Sequence, residues 1–216
     1  MSRQKVLLQI IILTLVWFLA IGCGNAQILF VTPTPLPTST PTPLPDLSVV
    51  VLALEDLPSG FETISLDELG ITKEDLVGDD LKVESIFTFL EAENFELVMG
   101  VTTLLPNRLD QVGFDIVIRQ QDFLMESWVA EMGVIDILEQ MYLPDLNDIG
   151  DASAGTTIVA DVEGITMCMD MVVFRRDKVG SVILVMYIDG DIPVVTVDTV
   201  AIKLDDRIVE VLQLSE

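Results

Sequence analysis

Histidine is absent from this 216-residue sequence. Without an imidazole, the chain has no Ser-His-Asp or Cys-His arrangement, no imidazole base that titrates near neutral pH, and no zinc site of the histidine-containing kinds. Enzymatic chemistry is thereby limited to paired carboxylates, Ser-Lys dyads or sites for hard metal ions. The sequence therefore favours a protein that is not an enzyme, and it predicts no cofactor.

Basic residues are also scarce. The chain has 11 lysines and arginines against 35 acidic residues, and its formal net charge is −24. All the acidic residues follow position 45, whereas Arg3 and Lys5 precede it, so residues 46–216 carry a charge of 9 minus 35, or −26. Such a surface repels phosphate backbones, and we expect no nucleic acid among its partners.

The first 20 residues have the layout of an export signal. Arg3 and Lys5 form a positive head, and residues 6–20 are an apolar run that Gln9 interrupts. This run is shorter than the roughly 18 to 20 residues that span a bilayer comfortably. We therefore expect the segment to be cleaved, the alternative being a membrane helix that is retained.

The stretch Leu19-Ala20-Ile21-Gly22-Cys23 closes the apolar run. It resembles the lipobox of bacterial lipoproteins, in which a branched aliphatic residue, a small residue and Gly or Ala precede the cysteine that is acylated. Gly22 and Cys23 match, whereas Ala20 stands where the family usually has Leu, and Ile21 where it usually has Ala or Ser. The resemblance implies a signal peptide over residues 1–22 and a lipid anchor of diacylglycerol and palmitate-like acyl chains on Cys23. It implies a location at the extracytoplasmic face of a bacterial cell membrane.

Residues 23–45 are a low-complexity segment with proline at nearly every other position from Thr32 to Pro45. Proline fixes φ and removes backbone donors, so such a run extends at about 3.1 Å per residue and forms a semi-rigid spacer of roughly 40 Å. We expect a tether that holds a domain clear of a membrane surface. A docking site for a proline-reading domain is the alternative.

Residues 46–216 are long enough for one domain with its own core. Runs rich in β-branched and aromatic residues predict a hairpin of strands at 83–90 and 95–104, and a meander of strands at 156–160, 165–175 and 181–188. Ser65 and Glu68 have the spacing of a capping box, and Thr72 and Asp75 nearly repeat it. A helical period is formed by Leu124, Met125, Trp128, Val129 and Met132.

A closing helix is predicted after Pro193, with Thr196 as its cap. One face is apolar and the other largely charged; the apolar face comprises Val197, Val200, Ala201, Leu204, Ile208, Val211 and Leu212, and the charged face Asp198, Asp205, Asp206, Arg207 and Glu210. Such a stripe must cover a sheet. The predicted fold class is α+β, with a mainly antiparallel sheet flanked by helices in an α-β-α sandwich-like arrangement.

The order of elements over residues 156–212 is three strands with a basic hairpin, followed by an amphipathic helix. This order resembles the α-β-α sandwich of the PsbP and Mog1 type of domain, which also occurs on bacterial lipoproteins. The resemblance rests on element order and transfers no functional residue. It implies a non-enzymatic binding or assembly module.

The acidic loop at 145–151 contains candidate calcium ligands. Its Asp-x-Asn start and Gly150 at the sixth place echo an EF-hand loop, but Ile149 at position five and Thr156 at position twelve break the pattern. We predict no metal site, and a solvated acidic turn is the favoured interpretation. The candidate ligands of this loop are Asp145, Asn147, Asp148 and Asp151.

Met167, Met169 and Met171 alternate along one face of a predicted strand, and Cys168 lies on the other face. Three thioethers are suited to a soft metal ion, but the same alternation buries one face of a sheet, and we favour a core role. If Cys23 is acylated, Cys168 is the remaining thiol and no intramolecular disulfide forms. We predict that Cys168 is a packed side chain and not a reactive one.

Arg175, Arg176 and Lys178 form a basic cluster in an otherwise acidic domain. Arginine is suited to carboxylate and phosphate groups, so the cluster is a candidate site for a small anion or an acidic partner. A hairpin tip with solvated charges, balanced by surrounding acids, is the favoured alternative.

The leading hypothesis is a lipoprotein at the cell surface whose domain binds a protein or a small ligand without catalysis. A hydrolase that uses paired carboxylates is the first alternative. A cation-binding surface protein is the second.

Overall fold

Seven antiparallel strands form one sheet in the computed structural model, which describes residues 47–69, 83–120, 136–162 and 164–214. All of these residues belong to one compact unit, Thr42–Glu216. The strands are β1 (Phe61–Thr63), β2 (Val83–Glu91), β3 (Glu96–Leu104), β4 (Asp136–Tyr142), β5 (Ala152–Val162), β6 (Ile165–Arg176) and β7 (Val179–Ile188). The helices are α1 (Arg108–Arg119) and α2 (Val197–Gln213), with 3₁₀ turns at Leu47–Val49, Leu54–Asp56, Asp67–Leu69 and Pro144–Leu146.

The strand order is β1-β2-β3-β7-β6-β5-β4. Two runs of consecutive strands, β1 to β3 and β4 to β7, join where β3 pairs with β7. The hairpin of β2 and β3 and the meander of β5, β6 and β7 confirm the strand predictions, although β5 begins four residues earlier than expected. A mainly antiparallel sheet with two helices confirms the α+β class.

The strand ends fall into two sets at opposite ends of the sheet. The register pairs Glu91 with Glu96 and Val162 with Ile165, and it brings the ends of β7 and β5 to the same side. This side, named here the acidic end, carries the turn at 92–95, the connection between β5 and β6, and the loop at 189–196. The opposite side, named the arginine end, carries the last residues of β6, the turn at 177–178 and the start of α1.

Each helix covers one face of the sheet, and alternate residues of β6 separate the two faces. Val172 and Phe174 pack with α2, whereas Met171 and Val173 pack with α1. The α2 face also receives the apolar segment that begins at Leu47. The two helices therefore lie on opposite faces, and each has its own hydrophobic cluster.

The closing helix has the apolar face that the sequence predicts, because Val197, Val200, Ala201, Leu204 and Ile208 are buried. Thr196 occupies the N-cap position, but its hydroxyl bonds to that of Thr199 at 2.9 Å and not to a helix N–H. The placement of Asp205 on the solvent face was wrong. Asp205 is buried against the end of β6, where it meets an arginine.

Helix α1 lies close to the sheet because β7 has a glycine beneath it. A Cβ atom at Gly180 would lie 2.7 Å from the ring of Phe114. At its start, Asn107 caps the helix by accepting hydrogen bonds from the N–H groups of Leu109 and Asp110, both at 3.0 Å.

The first predicted capping box is confirmed. The N–H of Ser65 donates to the Glu68 carboxylate at 2.9 Å, and the N–H of Glu68 donates to the Ser65 hydroxyl at 3.3 Å. The second box at 72–75 and the helical residues at 124–132, Trp128 included, lie outside the described residues.

Candidate functional site

Arg175 and Arg176 end β6 and point to opposite faces of the sheet. On the α1 face, Arg175 donates from Nε and Nη2 to the two oxygens of Asp115, at 2.7 and 3.1 Å. On the α2 face, Arg176 donates to both oxygens of Asp205, from Nε at 2.8 Å and from Nη2. Each guanidinium group therefore makes a two-point contact with one helix, the strongest geometry for an arginine–carboxylate pair.

Asp151 joins these two pairs. Its carboxylate accepts hydrogen bonds from Arg175 at 3.3 Å, from Arg176 at 3.4 Å and from the N–H of Asp177 at 2.7 Å. The hydrogen bonds that Arg175 donates to Asp115 and Arg176 donates to Asp205, together with the charge of Asp151, raise the pKa of both arginines. The guanidinium groups remain charged and act as fixed cross-links between β6 and the helices.

The predicted anion site therefore has its arginine donors engaged within the chain. An external anion would have to displace Asp115, Asp151 or Asp205 to reach either guanidinium group. Lys178 is half-buried, and its carbonyl accepts a hydrogen bond from the N–H of Leu105 at 2.7 Å. The arrangement joins α1 and α2 to the sheet. Acids balance the arginine charges, as predicted, but the guanidinium groups are part-buried in ion pairs and not solvated.

The candidate calcium ligands do not surround a common point. Asp145, Asn147 and Asp148 are exposed, whereas Asp151 turns to the arginines. The buried residues of this loop are the apolar ones, Leu146 and Ile149. Within the part of the chain that the structure describes, no group of three or more histidine, cysteine or acidic side chains is placed to hold a metal ion.

Two buried glutamates face each other at the acidic end, where Glu91 ends β2 and Glu96 begins β3. Glu91 accepts a hydrogen bond from the N–H of Asn94 at 2.6 Å, within its own turn. Glu96 is 0 % exposed and accepts from the N–H groups of Val194 and Val195, the latter at 2.9 Å. Burial and the nearby Glu91 charge raise the pKa of Glu96, although the two N–H groups oppose this. Glu96 thus ties the loop before α2 to the β2–β3 hairpin.

A second polar cluster lies on the α2 face near this end. Asp170 accepts hydrogen bonds from the hydroxyls of Thr157 at 2.6 Å and Tyr187 at 3.1 Å, and Cys168 donates to Asp189 at 3.3 Å. Burial and the bond to Asp189 raise the pKa of the Cys168 thiol to about 11. Burial and the Asp170 charge likewise raise the pKa of Tyr187. Cys168 is buried, which confirms that its side chain is packed, and the raised thiol pKa disfavours the nucleophilic thiolate.

The methionine row is part of the core. Met167, Met169 and Met171 are all buried, and the last two pack in the hydrophobic cluster on the α1 face. This placement supports the core role predicted for the row.

A groove of about 430 Å³ lies between the segment at 51–54, the segment at 63–66 and β2. Its walls are mainly apolar, with hydroxyl groups on Thr63, Ser65 and Thr88. The Ser65 hydroxyl donates to Glu68 at 2.8 Å, and the Thr88 hydroxyl donates to the carbonyl of Ile64. The groove has the size and lining for a small apolar group.

Two residues of these sites were not predicted from the sequence. For one of them the sequence contained a usable pattern, and for the other it did not. Glu96 lies on the same face of β3 as the buried Val98. The two-residue alternation of the strand could therefore have predicted a buried acid at this position. Asp115 is an acid on an amphipathic helix, and its partner Arg175 lies 60 residues away in the chain. No local pattern marks such a pair.

No protein-family model matches the chain, and no curated protein matches it with significant sequence similarity. Among the residues that the structure describes, no helix is both long enough and apolar enough to cross a membrane.

Proposed function

We propose that the chain is a lipoprotein, held by acyl chains on Cys23 at the extracytoplasmic face of a bacterial cell membrane, with a domain that binds a partner without catalysis. The lipobox-like stretch that ends at Cys23 supports the anchor, and the prolines of residues 23–45 support a spacer. The acidic composition supports a protein or small ligand as the partner in preference to a nucleic acid.

One observation carries the non-catalytic part of this proposal. Among the residues that the structure describes, the buried carboxylates Glu91, Glu96 and Asp205 are each bound by main-chain N–H groups or by an arginine of the same chain. A hydrolase with two carboxylates needs both groups beside a substrate cleft, with one of them free to transfer a proton. These acids are used for holding turns and helices, which favours a binding or assembly module over the hydrolase.

We also propose that the fold is an α-β-α sandwich of the PsbP and Mog1 type. The packing of α1 and α2 on opposite faces of the sheet supports this assignment, as does the order of β5, β6, β7 and α2. Members of that group are mostly non-enzymatic, which agrees with the proposed role.

Intact-mass measurement of the chain extracted from bacterial membranes tests the anchor. The expected mature form begins at Cys23 and carries acyl chains on it, and a Cys23→Ala variant should accumulate without acyl chains and with residues 1–22 still attached. A wild-type chain that begins at Met1 with an unmodified Cys23 would contradict the proposal. A melting temperature that rises with added calcium would instead favour the cation-binding alternative.

A further inference from the structure

Three loop tips at the acidic end present exposed apolar side chains, named here the apolar tips. Phe95 in the β2–β3 turn is 64 % exposed, Ile165 at the β5–β6 turn is 54 % exposed, and Ile192 in the loop before α2 is 91 % exposed. Glu96 fixes two of these tips relative to each other, because it follows Phe95 in the chain and binds the N–H of Val194, two residues after Ile192. The Phe95 and Ile192 tips thus stand on a shared support.

The backbone at Phe95 is unusual for its residue type. Its φ is 54°, in the left-handed region that glycine and asparagine adopt readily and bulky residues avoid. Both solvation and backbone preference therefore disfavour a phenylalanine at this position. Residues kept in such conformations cluster at binding and catalytic sites, and an exposed ring at a turn is placed to contact another molecule.

The charge around the apolar tips has one sign. Glu93, Asp189 and Asp191 are exposed on the same turns, and residues 91–96, 161–166 and 188–196 include no lysine or arginine. The basic residues that the structure describes lie elsewhere, in α1, in α2 and at the junction of β6 and β7: Arg108, Arg119, Arg175, Arg176, Lys178, Lys203 and Arg207. The complementary surface is therefore apolar and positively charged.

We infer that the apolar tips are a docking surface for a protein segment that presents apolar side chains next to lysine or arginine. The inference rests on the proposed role as a binding module and names the surface and the chemistry of its partner. Carboxylates around the tips repel anionic lipid headgroups, which favours a protein over a bilayer as the occupant. Apolar side chains ringed by charge are also the common anatomy of energetically important interface residues.

A cationic peptide probe tests the inference on the full chain, reconstituted in nanodiscs of zwitterionic lipid. The probe is a fluorescent peptide of alternating lysine and leucine residues, and the blanks are empty nanodiscs and the same peptide with glutamate in place of lysine. Fluorescence anisotropy should show saturable binding of the lysine peptide that weakens as salt is raised. Phe95→Asn, which suits the left-handed backbone, and Ile192→Ser should each weaken binding by about tenfold.

Leu109→Ser is the matched control, because Leu109 is 82 % exposed at the start of α1, away from the acidic end. This variant should bind the peptide as the wild type does. No saturable binding by the wild type, or an equal loss in the control, overturns the inference. So does a result in which Phe95→Asn leaves peptide binding intact while the nanodisc lipid protects residues 92–95 of the wild type from hydrogen exchange, because the tips would then contact lipid.

The two proposals fail separately. The mass of the Cys23 segment tests the anchor without reference to the tips. Peptide binding that survives both tip substitutions would leave a binding module with a different surface, and would remove this inference alone.

Discussion

The two ends of the sheet accommodate charge in different ways. At the arginine end, opposite charges meet: Arg175 and Arg176 bind Asp115, Asp151 and Asp205 in two-point or shared contacts. At the acidic end no described cation faces the buried acid Glu96, which instead receives main-chain N–H groups and has a raised pKa. A chain with few basic residues therefore places two of them where both helices join the sheet, and at the acidic end it binds Glu96 with main-chain N–H groups.

The two turns at these ends show the same contrast. Each contains one non-glycine residue with positive φ, Asp177 at 50° and Phe95 at 54°. Aspartate tolerates this conformation, and the Asp177 N–H also donates to Asp151. Phe95 has a side chain that avoids the conformation and is left in solvent. The arginine-end turn is thus built for stability, whereas the acidic-end turn is placed for contact.

The largest expected effect concerns the suppressed ionisation of Cys168 at the acidic end. Its pKa of about 11 leaves a much smaller thiolate fraction than in the unfolded chain. Iodoacetamide at mildly alkaline pH should alkylate Cys168 about a hundredfold more slowly in the native state than in urea, as measured by peptide mapping. Asp189→Asn should speed the native reaction, because it removes the charge next to the sulfur. Equal native and denatured rates would contradict this view of the acidic end.

The next effect concerns the arginine end. Arg176→Leu removes the partner of the buried Asp205 carboxylate, and we expect a loss of about 2 kcal/mol in the free energy of unfolding, measured in urea. Lys178→Ala, two residues away in the same hairpin, is the control and should change stability by less than about 0.5 kcal/mol. If the two variants are equally stable, the arginine is not a cross-link between β6 and α2.

A smaller effect separates the two turns. Phe95→Gly should raise the free energy of unfolding by up to about 1 kcal/mol, since it relieves a left-handed conformation that costs a bulky residue about that much. Asp177→Gly should be close to neutral, because aspartate tolerates the conformation and the N–H bond to Asp151 remains. Thermal unfolding of the two variants gives the comparison. A loss of stability in Phe95→Gly would mean that the ring packs on its own domain.

The last effect is a change in pH dependence. Because the pKa of Glu96 is raised by folding, its contribution to stability is fully present below the unfolded pKa and is lost as pH rises through the folded pKa. Urea unfolding at a series of pH values should therefore show the wild type losing stability relative to Glu96→Gln across that window.

Asp56 should give the opposite dependence of stability on pH. Burial would raise its pKa, but hydrogen bonds from Arg207 and the Ala53 N–H lower it. Relative to Asp56→Asn, the wild type should lose stability as pH falls through the folded pKa of Asp56.

Elements with a strong local pattern were predictable from the sequence. The two-residue alternation of β6 and β7, the capping box at Ser65 and the apolar stripe of α2 all follow from neighbours a few residues apart. Strands β1 and β4 were not predicted. β1 has three residues, and β4 is an edge strand with Leu138 and Met141 exposed, so neither shows one apolar face.

The ion pairs at the arginine end could not be predicted from local sequence patterns. The sequence predicted solvated charges at Arg175 and Arg176, balanced by surrounding acids. It did not identify those acids, because Asp115 and Asp205 lie 60 and 29 residues away in the chain. Which acid meets which arginine depends on the placement of two helices on two faces. Asp205 was assigned to solvent for the same reason. A helical wheel gives the face of the helix on which a residue lies, but not which strand end lies opposite that residue.

The adjacency of Arg175 and Arg176 has a consequence for how the sheet finds its alignment. Neighbouring residues of a strand point to opposite faces, so a slip of β6 by one position would present each guanidinium group to the other helix. One arginine would then take the place of the other, so that one of Asp115 and Asp205 would keep a partner and the other would lose it. One dipeptide therefore works as a check on strand register: of the neighbouring alignments, the native one alone neutralises both acids at once.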